Sequence, residues 1–462
     1  MTSPHRHGQP RAGHRSWQGA APDGRDKPGH DGKSVLVARD GSVMTAVVQT
    51  GVAGFLARFD AMRDRLPGDP RQRSAAADAF RRAGLPGATS GRREEAWKYT
   101  SLRPVADASF LQLVTPLAGD STLLARLPRV DAPCVVFVDG EFRAELSALP
   151  RAVEFQRFDG QFGTLARPDS EPLVALNTML AEDGAVLSVP AGVDAGLLLL
   201  VSIATDRVAF HPRHAVNLAR GARLTLLELS LGDGLYLHNP VFEVRVDEGA
   251  VLTNVRMQDE ALGAFHLSTL YAEIAERGTY DSFALNLGAR IARTEAHIRL
   301  RGPKGMAHLN GAQLLGGTQH ADFTTVVKHD APSCASRQTV KNVLAGRSQG
   351  VFQGRIEVAR VAQKTDGYQM TQALLLSPDA EIDTKPELEI FADDVKCSHG
   401  ATVGELDADQ LFYLRSRGIP DAQARSILVR AFLAEALELV TDETVRGVLD
   451  RAVAGWWERQ AA

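Results

Sequence analysis

The middle of the chain alternates short apolar runs with turns that contain glycine. The runs 197–203, 224–229, 241–246 and 251–255 are rich in Leu and β-branched residues, which is typical of buried strands. Glycines at the start of similar turns stand at 221, 249, 278 and 305, at spacings of 28, 29 and 27 residues. This nearly constant step predicts stacked coils, each with three short strands. A β-sandwich is the alternative, but its hairpin strands would recur at shorter intervals of roughly 8 to 12 residues.

Helical periodicity precedes and follows this β-region. Apolar residues recur at helical spacing between 48 and 62, and an Ala-rich run follows at 74–83. Near the C-terminus, Asp407 is placed to cap a first helix, Pro420 opens a second, and a third starts near Thr441. The third helix carries an apolar stripe, and we expect its end to expose the adjacent Trp456 and Trp457. Packing against the core is the default interpretation of such a stripe, and a docking surface with the indoles at its tip is the alternative.

The first 43 residues differ in composition from the rest. They carry a formal charge of +3 against −7 for the remainder, and they lack the apolar segment of a signal peptide. We expect a disordered tail at 1–43 with the working start at Met44, a largely helical region at 44–170, a β-helix core at 171–404 and a helical subdomain at 405–462.

Charge, hydropathy and cysteine content exclude several classes of partner. The net charge of −4 offers no basic excess for nucleic acid, so we expect no nucleic-acid partner. No run approaches the roughly 20 apolar residues that a membrane span needs, so we expect no membrane association. The three cysteines form no C-x-x-C pair, which argues against a disulfide framework or a self-contained metal cage and favours the reducing cytoplasm.

Common catalytic motifs are absent from the sequence. It contains no G-x-S-x-G, no H-E-x-x-H, no complete Walker A motif and no G-x-G-x-x-G after a strand. A carbohydrate-active β-helix enzyme would need two carboxylates on one face. Asp393 and Asp394 are adjacent in sequence and would point to opposite faces of a strand.

The most specific chemical pattern is the triplet that contains Cys397 and His399. Residues two apart in a strand share a face, so this thiol and imidazole would project together. Two ligands cannot complete a tetrahedral metal site, so a partner chain would have to supply the others. We interpret the isolated His308, His320 and His329 as hydrogen-bonded structural residues.

The sequence around this triplet resembles the SufB/SufD family of the SUF iron-sulfur cluster assembly system. The resemblance rests on PELEI at 386–390, ADDVKCSHGATVG at 392–404 and QLFYLRSRGI at 410–419. Shorter matches lie upstream: WKYT at 97–100, HAD at 320–322, VKH at 327–329, SRQTVK at 336–341, GVFQG at 350–354 and AQKT at 362–365. The resemblance extends over about residues 45–462 and is loose between 105 and 180. The KCSHGAT stretch is similar to SufD members, whereas a SufB-like paralogue is the alternative within the family.

The resemblance implies a fold, a function and partners. The expected fold is mainly β, a right-handed parallel β-helix between N- and C-terminal helical regions. The implied function is that of a non-enzymatic scaffold subunit, which pairs with SufB through β-helix edges and binds the SufC ATPase, with ATP on SufC only.

The resemblance also implies which residues bind the cluster and the partners. His399 would be a ligand of a nascent iron-sulfur cluster shared with SufB, with Cys397 beside it, and the complex would bind a reduced flavin. The isolated chain would form a homodimer. The candidate residues for partner docking are apolar residues of the C-terminal helices: Leu411, Phe412, Phe432, Trp456 and Trp457.

Overall fold

We analysed a computed structural model, which describes residues 33–37, 43–47, 50–88, 95–110 and 121–461. Strands β1 (Lys33–Val37) and β2 (Val43–Val47) pair in an antiparallel hairpin. Apart from β1 and Val43 of β2, the segment 1–43, for which the sequence predicts disorder, lies outside the described residues.

Helices come first in the remainder of the chain. They are α1 (Gly51–Met62), α2 (Pro70–Ala83), α3 (Arg103–Asp107) and α4 (Ser121–Ala125), with a 3₁₀ turn at Glu95–Trp97. Helix α2 has a common N-terminal cap: the Asp69 side chain accepts a hydrogen bond from the Arg71 backbone N–H, and Pro70 occupies the first turn.

Two sheets follow, and within the described residues they contain ten and eleven strands. The first sheet consists of β3 (Cys134–Val138), β4 (Glu141–Phe142), β7 (Asp194–Ala204), β10 (Arg223–Gly232), β13 (Val251–Glu260), β15 (Thr279–Asn286), β17 (Met306–Leu315), β19 (Ala335–Leu344), β21 (Asp366–Leu375) and β23 (Lys396–Gly404). The second consists of β5 (Glu154–Arg157), β6 (Ala185–Val189), β8 (Ala209–Phe210), β9 (Arg213–Leu218), β11 (Leu237–His238), β12 (Val241–Val246), β14 (Phe265–Ile274), β16 (Ile291–Leu300), β18 (His320–His329), β20 (Gln349–Val358) and β22 (Glu381–Ile390). Helix α5 (Pro172–Leu180) lies between β5 and β6 in sequence.

The chain alternates between the two sheets and forms a parallel β-solenoid. Arg223 lies opposite Val251, Val251 opposite Thr279, and Thr279 opposite Met306, so one coil advances the chain by 27 or 28 residues here. The predicted mainly β, parallel β-helix architecture with helices at both ends is confirmed. The expectation of three strands per coil is wrong, because most coils have two strands of about ten residues, one in each sheet.

Alternating side chains divide each sheet into an inner and an outer face. Inward-facing Leu224, Leu252 and Ile298 contribute to the apolar part of the solenoid interior. The outer face of the second sheet packs against N-terminal helices, for example through Leu267 and Phe80 in a shared apolar cluster. The solenoid is therefore a two-sheet core between helical layers.

The C-terminal helices are α6 (Ala408–Ser416), α7 (Asp421–Leu437) and α8 (Glu443–Ala461). The predicted cap is confirmed, because the Asp407 carboxylate accepts a hydrogen bond from the Gln410 N–H at 2.8 Å. Helices α7 and α8 share an apolar cluster with the outer face of the first sheet, where Leu433 and Val445 are buried. In the described part of the chain, the helices are all too short or too polar to cross a bilayer.

Candidate functional site

Strand β23 carries the predicted metal ligands at the end of the first sheet. Among the described residues it pairs only with β21, in a register that places Cys397 beside Gly367 and His399 beside Gln369. The second sheet ends in the same way, with β22 paired to β20. Both terminal strands therefore present an unpaired row of backbone N–H and C=O groups, which is a template for another strand.

The thiol of Cys397 faces the interior of this last coil. Its side chain is half-buried and packs with an apolar cluster that includes Ile356 and Val358. A Cβ on Gly367 would lie 3.3 Å from the Cys397 sulfur, so the glycine leaves room for the thiol. Burial raises the pKa of Cys397, which favours the neutral thiol until a metal or a cationic partner arrives.

The imidazole of His399 lies on the same face, two residues farther along β23, and is exposed. Its register neighbour Gln369 is buried and donates to the Glu387 carbonyl at 3.4 Å. Among the described residues, the Gln369 Oε1 atom has no hydrogen-bond partner. No third His, Cys, Asp or Glu of the described chain joins Cys397 and His399 in a close group of ligand atoms. The strand thus offers two ligands at an open edge, an incomplete set for a metal.

The three histidines that we interpret as structural, His308, His320 and His329, have partners inside the fold. The His329 Nε2 atom lies 2.9 Å from the Ser336 hydroxyl, and the side chain is buried. His308 Nδ1 lies 3.5 Å from an Asp281 carboxylate oxygen. These two, together with His320, have the polar partners expected of structural residues.

His320 belongs to a network that attaches the N-terminal segment to the solenoid. Its Nε2 atom lies 2.8 Å from the Thr100 hydroxyl, which also donates to the buried Asp322 carboxylate. Asp322 is paired with Arg293, and the Arg293 guanidinium carbon lies 4.0 Å from the centre of the Trp97 ring. The WKYT and HAD motifs therefore meet in space, where they hold the chain around residue 97 against β16 and β18.

The candidate docking residues differ in their exposure. Phe412 is 72% exposed on α6, a helix without a buried residue, and Leu411 beside it is half-buried. Phe432 is half-buried, with the Lys341 ammonium 4.6 Å from its ring centre. The expected exposure is wrong for Trp456, which is 1% exposed because the α8 stripe packs against the first sheet, while Trp457 is half-buried.

A second group of possible ligands, which the sequence pattern does not predict, lies inside the solenoid. One ring nitrogen each of His238 and His266 and a carboxylate oxygen of Glu260 lie within 4.8 Å of one another. A signal was present, since the two histidines are separated by 28 residues, one coil of the solenoid. Glu260 comes from the other sheet, and its approach depends on a register that the sequence does not specify.

Comparison with known proteins identifies the family. Residues 201–432 match the model for the SufBD core domain of SUF-system FeS cluster assembly, and residues 69–197 match that for the SufBD N-terminal region. The iron-sulfur cluster assembly protein SufD of Escherichia coli is 33% identical over 79% of this chain and 88% of its own length. A SufBD family protein of Synechocystis is 30% identical over 83% of this chain and 90% of its own. The chloroplastic protein ABCI7 of Arabidopsis thaliana is 30% identical over 79% and 82%. The chain therefore belongs to the SufBD family of iron-sulfur cluster assembly proteins.

Proposed function

We propose that this chain is the SufD-type scaffold subunit of a cytoplasmic SUF complex and that it performs no catalysis itself. The observation that carries the proposal is the open end of the solenoid, where Cys397 and His399 share the inner face of a terminal strand that pairs with β21 on one edge and leaves the other edge open. SufB would extend the two sheets beyond β22 and β23 and would bring the remaining ligands. Without SufB, the same edges would pair two copies of this chain.

The chemistry of the two side chains suits the nascent cluster. A neutral imidazole is a borderline ligand for iron, and a thiol becomes a good ligand once the metal displaces its proton. Because His399 is exposed at the open edge whereas Cys397 is half-buried, and SufB is expected to provide the sulfur-accepting thiol, we assign the more important role to His399. The iron and sulfide are the cargo of the complex.

SufC would bind through the C-terminal helices. Helix α6 supports this assignment, because Phe412 and Tyr413 are 72% and 57% exposed on a helix that buries none of its residues. An exposed aromatic pair of this kind is typical of a surface that a partner covers. We restrict the docking proposal to α6 and the accessible part of Phe432 and Trp457, since Trp456 is already buried.

The decisive experiment is co-expression with SufB and SufC, anaerobic purification and measurement of iron and acid-labile sulfide per complex. We expect His399→Ala to assemble normally and to lose most of the iron and sulfide, because the change removes a nitrogen ligand from an exposed position. Cys397→Ala should have a smaller effect. His308→Ala and His329→Ala are the controls, and they should lower the melting temperature more than the cluster yield. Wild-type iron and sulfide in His399→Ala would refute the cluster-site assignment.

A further inference from the structure

We propose that His238, Glu260 and His266 form a binding site for a divalent first-row transition metal inside the solenoid. This site lies in the early coils, in strands far along both sheets from β23. The inference does not depend on the proposed role of His399.

The coil repeat places the two imidazoles next to each other. His238 and His266 are register partners in β11 and β14, and their ring centres are 4.9 Å apart. Glu260 ends strand β13 of the opposite sheet. Its Oε1 lies 3.3 Å from His238 Nδ1, and its Oε2 lies 2.8 Å from His266 Nδ1. Two nitrogens and one carboxylate therefore converge from both sheets on one point.

The hydrogen bonding of this cluster is incomplete. The three side chains are only 2%, 1% and 9% exposed for His238, Glu260 and His266. Among the described residues, neither His238 Nε2 nor His266 Nδ1 has a hydrogen-bond partner, although the latter is close to the carboxylate. Buried ring nitrogens without partners are costly, and a coordinated metal would satisfy the one that faces Glu260.

The negative charge of the Glu260 carboxylate also favours a bound metal cation. Within the described part of the chain, no Lys or Arg lies within ion-pair distance of it, and its close contacts of this kind are with the two histidines, which carry a charge only when protonated. A bound cation would balance a carboxylate that otherwise lacks a permanent counter-charge.

Neighbouring residues orient the ligands. The Gln258 amide donates to Glu260 Oε2 at 2.9 Å and accepts from the Gly288 N–H at 3.1 Å. Phe210 stacks on His238 with ring centres 4.6 Å apart. Such contacts fix ligand geometry in metal sites. A cavity of about 20 Å³, which is enough for one water, lies against His238, His266 and Gln258.

Two nitrogens and one oxygen are borderline to hard donors, which suit Fe²⁺, Zn²⁺ or Co²⁺. A second group, formed by Glu171, Glu295 and His297, is a weaker candidate, because Arg293 already pairs with the Glu295 carboxylate at 3.0 Å. Its negative charge is therefore compensated within the protein.

The test is to express the full chain in minimal medium supplemented with Co²⁺ and to measure bound cobalt and the visible absorption spectrum. Loading during synthesis avoids the need for metal to enter the closed interior. We expect one cobalt per chain with bands of a nitrogen- and oxygen-ligated ion. His266→Gln and Glu260→Gln should each lose most of this metal. Parallel cultures with Zn²⁺, and anaerobic ones with Fe²⁺, identify which cation the site retains.

His214→Gln is the matched control. His214 is equally buried in the same interior and stacks on Phe242 at 4.6 Å, but it accepts a hydrogen bond from the Ala185 N–H and has no carboxylate partner among the described residues. It should retain the metal, and so should His399→Ala.

Three results would overturn the proposal: wild-type protein without cobalt, ligand variants that retain it, or a sulfur-to-cobalt charge-transfer band that indicates a thiolate ligand. If the ligand variants fail to fold by circular dichroism, the stoichiometry and spectrum of the wild-type protein decide. Loss of cobalt in His399→Ala alone would place the metal at the edge strand instead.

Discussion

At the residue scale, the pair formed by Arg293 and Asp322 is a fully buried polar anchor between the N-terminal segment and the solenoid. Both side chains are fully buried, and Trp97 and Thr100 complete their surroundings. Removing one member of a buried pair costs roughly 3–5 kcal/mol when the other charge is left without compensation, but here the Glu295 carboxylate remains 3.0 Å from Arg293, which limits the loss to the lower end of that range, about 3 kcal/mol. We therefore expect Asp322→Ala to lower the free energy of unfolding in urea by about this amount.

The matched control for that change is Asp330→Ala, eight residues farther along the chain. Asp330 pairs with Arg299, whose side chain is 56% exposed. Solvent-exposed pairs contribute about 1 kcal/mol or less, so this variant should unfold close to the wild type. Equal losses in the two variants would show that burial is not the source of the effect.

His329 gives the protein a stability that depends on pH. Burial lowers its pKa to about 4 from an ordinary value of 6.5, so between these values the unfolded chain takes up a proton that the folded chain excludes. This contribution is complete above about pH 6.5 and is lost as the pH falls toward 4. We expect His329→Gln to reduce the drop in melting temperature between pH 7 and pH 4, while His308→Gln, at a partly exposed site, retains it. A wild-type slope in His329→Gln would contradict this explanation.

At the element scale, α6 is the helix whose exposed side chains have no explanation in the isolated chain. Replacing Phe412 with Ser should weaken SufC capture by about tenfold or more, as for an aromatic hot spot, and leave the melting temperature unchanged. Leu262→Ser, in a solenoid turn and 68% exposed, is the control that should bind SufC normally. Unaltered SufC capture by Phe412→Ser would exclude α6 from the docking surface.

The elements themselves were largely predictable from the sequence, and their faces less so. The turn glycines at 221, 249, 278 and 305 predict the coil length, but they mark only one of the two turns in each coil. A second set at 234, 263 and 288 divides each coil into two strands. The apolar stripe of α8 predicted the helix, yet not whether Trp456 meets the sheet or a partner, because both surfaces select the same residues.

In the candidate sites too, local sequence patterns predict some placements, whereas others depend on long-range contacts between the sheets. The placement of Cys397 and His399 on one face follows from strand alternation alone. The convergence of Glu260 with His238 and His266 depends on how the two sheets face each other, and no local pattern encodes that distance.

At the scale of the whole molecule, the two ends of the solenoid differ. The N-terminal end finishes in the short antiparallel strands β4 and β5, of two and four residues. Short strands are a common way to protect a sheet edge. The other end finishes in β22 and β23, of ten and nine residues.

Because of this asymmetry, we expect the solenoid to open first at its C-terminal end. In stacked coils each coil is stabilised only by its neighbours, so the last coil has half the support of an internal one. We expect amide hydrogens of residues 381–404 to exchange with deuterium faster than those of β13 to β18, and to slow strongly when SufB is added. Uniform exchange along the coils would contradict this gradient.

The strand that carries Cys397 and His399 is then the least persistent part of the solenoid. Its two ligands would hold a fixed spacing only while another chain covers them, so this edge site would bind iron poorly in free subunits. Metal capture would be timed by assembly and not by the concentration of iron alone.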